Sequence, residues 1–321
     1  MRWSSHTNLF FIGGMDKAIL YNNIVRAFEE SYGWLGRQFG EEFLHVVATQ
    51  IIQQHSITKQ RIRSHLLLVW EPGWFKSTLL RIAADLLGEQ NCAYISDITP
   101  AVFRGTVTKT EDAVEFVPPA CKTTPFIVVT EMGSLTTSKG LLQLLLITLE
   151  EGIVTVGLAS LAKLTELQRL QIAQMYNIQI SNGRMTYRTT SSFLCATYDE
   201  SYLTDFALVN RFDIMIPRKE LNNELASMVD GKEFDIQNSV VEAFRDIIRR
   251  APPDNLLTIW KTKLPKSIFQ VGNINPRIMR SLKSYMLSMA FWEKNVTEDA
   301  LLDRAKYLLY TQAYIKDRLS K

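Results

Sequence analysis

Lys76, Ser77 and Thr78 stand just after Gly73 in the stretch LLLVWEPGWFKSTLLRIAADLLG, residues 66–88. An apolar run stops at Glu71-Pro72-Gly73, and beyond the lysine a second apolar run takes up helical spacing. Strand, turn and helix in that order present backbone N–H groups at a helix N-terminus, where the helix dipole favours an anion. Lys76 is then placed to reach the β- and γ-phosphates of a nucleotide, and the Ser77 hydroxyl to ligate Mg2+. Pro72, Gly73, Trp74, Phe75 and Thr78 complete the loop. The strict spacing GxxxxGK[ST] is broken at both glycine positions, by Trp70 and Phe75. The plain alternative is a strand–turn–helix carrying a solvated lysine.

A second element is FIVVTEMGSL, an apolar run that ends on an acid. A buried strand of this kind presents a carboxylate to Mg2+ and to an attacking water. Glu131 is the candidate for polarising that water, while Thr130 offers the metal shell only a neutral hydroxyl. The alternative is a strand whose polar residues mark its end and nothing more.

These residues need elements to hold them. Short apolar runs recur at HLLLVW (65–70), CAYISDI (92–98), PFIVVTE (125–131) and SFLCATY (192–198), with helical patterns between. Runs of this type flanked by helices predict a parallel sheet covered on both faces. IQISNGRMTYR (178–188) reads as a hairpin with an Asn-Gly turn. Residues 16–60 space their apolar positions at three and four and predict helices; after Pro217 the strand patterns stop and helices follow. The expected plan has three parts: a helical lead-in over 1–60, an α/β core over 61–218, and a helical domain over 219–321.

Bulk composition sets limits. A net charge of +3 does not announce a nucleic-acid binder, so any such site must be a local patch. Cys92, Cys121 and Cys195 lie far apart without a CxxC pair, which argues against a zinc module or a disulfide framework. The longest apolar runs are too short to span a bilayer, and the first residues lack a secretory pattern. The expectation is a cytoplasmic protein without a membrane partner.

HLLLVWEPGWFKSTLL resembles the Walker A region of the minichromosome-maintenance (MCM) family of AAA+ ATPases. That family has an acidic residue-Pro-Gly and a small non-glycine residue before the lysine. The resemblance continues in order along the chain, from about residue 60 to about 310. SDITPAVFRGTVTKTEDAVEFVPPACKTTPFIVVTE resembles the segment carrying the helix-2 insert (about 101–120) and then Walker B. GLLQLLLITLEEGIVTVGLASL resembles the helix and pre-sensor-1 hairpin (about 151–165). SSFLCATYDE falls at sensor 1, LTDFALVNRFDIMIP resembles the arginine-finger segment, and NPRIMRSLKSYMLSMA resembles the sensor-2 helix.

The resemblance implies a P-loop AAA+ core with a parallel sheet flanked by helices, followed by an all-helical lid. It implies ATP and Mg2+ as cofactors, with Lys76 and Ser77 on the phosphates and metal, and Glu131 on the metal and water. Thr197 or Tyr198 takes the sensor-1 position, normally an Asn. Arg211 would be the finger reaching a neighbouring subunit's γ-phosphate, and Arg277 would be sensor 2. A homo-oligomer, typically a hexameric ring, and DNA as substrate follow, with replication or mobile-element partners.

For DNA, the hairpin-tip position that is a lysine in the family is Leu158 here. The candidate cations are Arg104 and Lys109 in the insert and Lys163 near the other hairpin. Residues 163–188 look inserted before sensor 1. Their Lys163, Arg169, Arg184 and Arg188 offer a replacement patch or simply a solvated face. Two other functions stay open: a protein-remodelling AAA+ ATPase of the MoxR or activator type, and a hydrolysis-deficient scaffold.

Overall fold

The computed structural model describes residues 16–55, 62, 64–109, 114–132, 138–157, 161, 164–197, 206–252 and 256–319. Five strands form one parallel sheet: β1 (Leu66–Val69), β2 (Cys92–Asp97), β5 (Phe126–Glu131), β9 (Ser192–Thr197) and β10 (Asp213–Met215). Their order across the sheet is β10-β1-β9-β5-β2. Side-chain alternation divides the apolar runs between two layers. Leu66, Leu68, Phe126, Val128, Leu194 and Ala196 face one core, shared with the helices α1 (Lys17–His55), α2 (Lys76–Leu87) and α9 (Asn238–Arg249). Leu67, Val69, Ile127, Val129, Phe193 and Cys195 face the other, beneath α3 (Pro100–Arg104) and α5 (Lys139–Glu151). An α/β chain with a parallel sheet covered on both faces and helices at its C-terminal end is therefore what the sequence folds into.

Two small antiparallel sheets project from this frame. One is the hairpin β3 (Thr106–Lys109) with β4 (Val114–Val117), inside the expected insert. The other has three strands in the order β6 (Ile153–Gly157), β8 (Arg184–Arg188), β7 (Gln179–Ser181). The hairpin foreseen at about 151–165 closes differently from expectation, because β6 takes β8 as its antiparallel partner. Thr165 caps a helix, α6 (Glu166–Tyr176), through a reciprocal capping box with Gln168, so the chain turns helical before it returns as β7 and β8. Shorter helices complete the chain order: α4 (Ala120–Thr123), α7 (Phe206–Val209), α8 (Asn223–Val229) and α10 (Leu256–Trp260).

The first helix is woven into the core rather than leading up to it. α1 runs its whole length with a kink at Tyr32 (φ −129°) and Gly33 (φ +57°), and most of that length is buried. Just past the kink, Gly36 approaches the Phe28 carbonyl so closely that a Cβ would lie 2.0 Å from its oxygen. Farther along, the Glu42 carboxylate meets Arg304 in a buried two-pronged ion pair, the second prong at 2.8 Å. Arg304 belongs to α12 (Glu298–Leu319), so the pair pins α1 to the far end of the chain. Gln38 donates to the Ile216 carbonyl at 2.8 Å and accepts from the Arg218 N–H at 3.1 Å. Trp292, at the end of α11 (Pro276–Phe291), donates its indole N–H to the Leu44 carbonyl at 3.0 Å.

Candidate functional site

The carboxyl ends of the parallel strands gather most of the expected phosphate-handling residues. Val69 is level with Thr197 on β9, and Val129 is level with Cys195. Glu131 ends β5 two residues beyond Val129, as Thr197 ends β9 two residues beyond Cys195, and Glu131 is paired with Asp97 on β2. Thr197 is buried. Ligands of open α/β sheets bind outside this edge, and the loop 70–75 leaves β1 here. Asp97 joins this edge without having been among the expected site residues; its signal is SDI closing an apolar run as TE closes β5.

The loop has its own internal order. Gly73 has φ +83°, a conformation that favours glycine, although a Cβ there would meet no atom within 4 Å. Phe75 is left-handed too (φ +62°), which is uncommon for a bulky residue and stores local strain. Its ring leaves the loop and packs on Tyr32 at the kink of α1, with centroids 5.5 Å apart. Trp70, at the first missing glycine, is buried, and its indole N–H donates to the Trp74 carbonyl at 2.7 Å. Trp70 is thus a side-chain tie across the loop. α2 then begins at Lys76, with the Leu79 N–H donating to the Phe75 carbonyl at 2.8 Å. The first-turn N–H groups precede any intrahelical partner and point out at the loop.

Lys76 is buried, and its ammonium curls back to donate to the Trp70 carbonyl and, at 2.9 Å, to the Glu71 carbonyl. It also lies 5.7 Å from the Trp70 ring centre. Burial lowers its pKa to about 8, against the opposing pull of Glu131 and Glu71, which favour the charged form. A phosphate oxygen at the first turn of α2 carries full charge and competes well against two neutral carbonyls for this ammonium. Ser77 is exposed and Thr78 half-buried at the same turn. The Glu131 carboxylate accepts from the Met132 N–H at 3.1 Å, while the Thr130 hydroxyl donates to the Ser96 carbonyl at 3.2 Å. Among the described residues no group of three or more His, Cys, Asp or Glu converges. Mg2+ in a nucleotide site takes one or two protein ligands and fills its shell with phosphate oxygens and water. Ser77 and Glu131 are the residues that could supply such ligands.

Arg211 and Arg277 lie elsewhere. Asp213 opens β10 level with Leu66, the first residue of β1, at the amino edge of the sheet. Arg277 donates to the Phe212 carbonyl at 3.4 Å. Burial lowers its pKa to about 10, with Asp213 and Glu150 acting in the other direction. Arg211 donates to the Ala207 carbonyl at 2.6 Å and sits 3.6 Å from Glu150, which also lies 3.9 Å from Arg280. The height of a four-residue strand, about 13 Å, therefore separates both arginines from the edge that holds Lys76.

Of the cations considered for DNA, Arg104 is exposed at the end of α3, and Lys109 ends β3 with its side chain outside the described residues. Lys163, Leu158 and Tyr198 lie outside the described residues. All three cysteines are buried and unpaired with one another, and burial pushes their thiols up. Among the described residues no helix is long and apolar enough to cross a membrane. No protein-family model matches the chain, and no curated protein does either.

Proposed function

We propose that this chain is a ring-forming ATPase of the MCM type that couples ATP hydrolysis to movement on DNA. The observation that supports the reading is that β5 ends on Glu131 and β9 on Thr197 at the carboxyl edge of the sheet, where the loop of Lys76 leaves β1 beside Thr197. Bound ATP with Mg2+ would supply the phosphoryl group. Lys76 would hold its phosphates, Ser77 the metal, and Glu131 the metal and the water to be activated. Arg211 and Arg277 stand a sheet-height away from that edge in the same chain. Action on a γ-phosphate from there calls for a neighbouring subunit, and this supports an oligomer with sites between subunits.

A second reading has its own observation. The Thr130 hydroxyl donates to the Ser96 carbonyl, and Trp70 closes the loop on Trp74, as a hydrolysis-deficient AAA+ scaffold would tolerate. Nucleotide binding and turnover of the wild type against Lys76→Ala and Arg211→Ala separates the two. The motor reading expects binding to fall in the first variant and turnover alone to fall in the second. Binding without turnover in the wild type would favour the scaffold. Equal turnover in all three proteins would sink the ATPase assignment.

A further inference from the structure

The three-stranded sheet β6-β8-β7 has two unlike faces. Val154, Val156, Met185 and Tyr187 alternate inward and are buried, and the Tyr187 hydroxyl donates to the Phe103 carbonyl at 2.5 Å. This face fastens the sheet to the core. The outward positions fall in register: Arg188 beside Ile153, Thr186 beside Thr155 and Gln179, Arg184 beside Gly157 and Ser181. Both arginines are exposed, and between them the Thr155 and Thr186 hydroxyls meet at 3.1 Å. Asn182 (φ +49°) and Gly183 (φ +70°) make the tight turn that ends beside Arg184, so the strand carrying both arginines is held by a two-residue hairpin.

We infer that this outer face binds the sugar-phosphate backbone of DNA, an assignment that rests on the DNA reading above. The three strands carry no Asp or Glu, so their field is of one sign. Among the described residues neither Arg184 nor Arg188 has a carboxylate within ion-pair distance, whereas Arg26 and Arg250 each have one and Arg37 has two. Four residues apart on one strand, the two guanidiniums emerge about 13 Å from each other. That separation lets them meet different phosphates of the same strand, with the threonine hydroxyls and Gln179 as donors between. Among the described residues of these strands the outer face has no aromatic ring on which a base could stack, so the contact is to phosphates and carries no sequence information. The arginines of the strand face thus offer the phosphate contacts for which the position expected to carry the family's lysine, Leu158, has no charge.

The test is binding of a labelled oligo-dT strand, without nucleotide, as a function of salt. Each phosphate contact contributes about 0.7 to the slope of log K against log salt for single strands. Arg184→Ala with Arg188→Ala should flatten the slope by about 1.4 and weaken binding about 25-fold at 0.1 M salt. Arg184→Lys with Arg188→Lys should keep the slope, since charge is what counts. Arg26→Ala with Arg250→Ala removes the same net charge elsewhere and should leave the slope unchanged; thermal midpoints report whether each variant is folded. An unchanged slope in the Arg184/Arg188 alanine pair, or an equal loss in the control pair, overturns the inference while the DNA reading stands. A wild type that binds no DNA overturns both, and leaves the nucleotide test to decide the ATPase assignment on its own.

Discussion

The ammonium of Lys76 should make nucleotide binding fail in mild alkali. With its pKa lowered to about 8 by burial, the group is about nine-tenths protonated at pH 7 and about one-tenth at pH 9. The phosphates are ionised throughout this range, so the lysine is the partner whose charge changes. If only the charged form grips the phosphates, affinity should fall about tenfold between pH 7 and pH 9. The sign follows from linkage: a bound anion raises the lysine pKa again, so binding takes up a proton, close to one per site at pH 9. Isothermal calorimetry in buffers of different ionisation enthalpy measures both the affinity and the proton count. Lys76→Arg, whose guanidinium stays charged, should bind with little dependence on pH over the same range. A wild-type affinity that is flat from pH 7 to 9, or an identical slope in the arginine variant, would refute the assignment of Lys76 to the phosphates.

Three further outcomes are expected. Trp70→Phe keeps a ring in the core but removes the N–H given to the Trp74 carbonyl, and should cost about 1 kcal/mol in urea unfolding; no change in the midpoint would mean the tie does not hold the loop. Glu42→Gln leaves the buried Arg304 charge unmatched and should cost about 3–5 kcal/mol, while Glu42→Leu with Arg304→Met should restore much of it. The same network should make the fold acid-sensitive. Burial lowers the His45 pKa; burial opposes ionisation of the Glu42 and Asp213 carboxyls as well, yet Arg304 and His45 outweigh it and hold both low. Depressed folded values mean that stability is present above the unfolded values and is lost as pH falls, from about 6.5 downward for the histidine. His45→Gln should move that onset toward the carboxylate range; an identical pH profile would remove the histidine from the account.

The sheet is legible in the sequence because its signal is local. Each of HLLLVW, CAYISDI, PFIVVTE and SFLCATY is a run long enough to stand out, and each forms a strand. The strand β10 is harder, since three residues, Asp213–Met215, give no alternation to read and are defined by pairing with β1. The partner of β6 escapes for the same reason: register is a relation between segments, and a helix intervenes. The lead-in expected over 1–60 rests on periodicity alone. What makes α1 central is its contact with residues more than two hundred positions away, which no local pattern encodes. At the candidate site the residue types are visible in the sequence, and the pairing of Val69 with Thr197 and of Glu131 with Asp97 is not. Trp70 reads as a defect in a glycine motif because a motif specifies side chains and omits the hydrogen bond that one of them makes.

The pairing of Glu42 with Arg304 also sets a timetable. The two residues are 262 positions apart in the chain. At synthesis rates of about 5–20 residues per second, roughly 13–50 seconds pass between their emergence. Through that interval α1 has most of its apolar side chains made and much of their final cover still to come. Contacts of such long range slow folding, because a large loop must close before they repay it. The helix that braces the loop through Tyr32 is thus the one left waiting longest, and conditions that hold nascent chains in solution should govern how much of this protein reaches its native state.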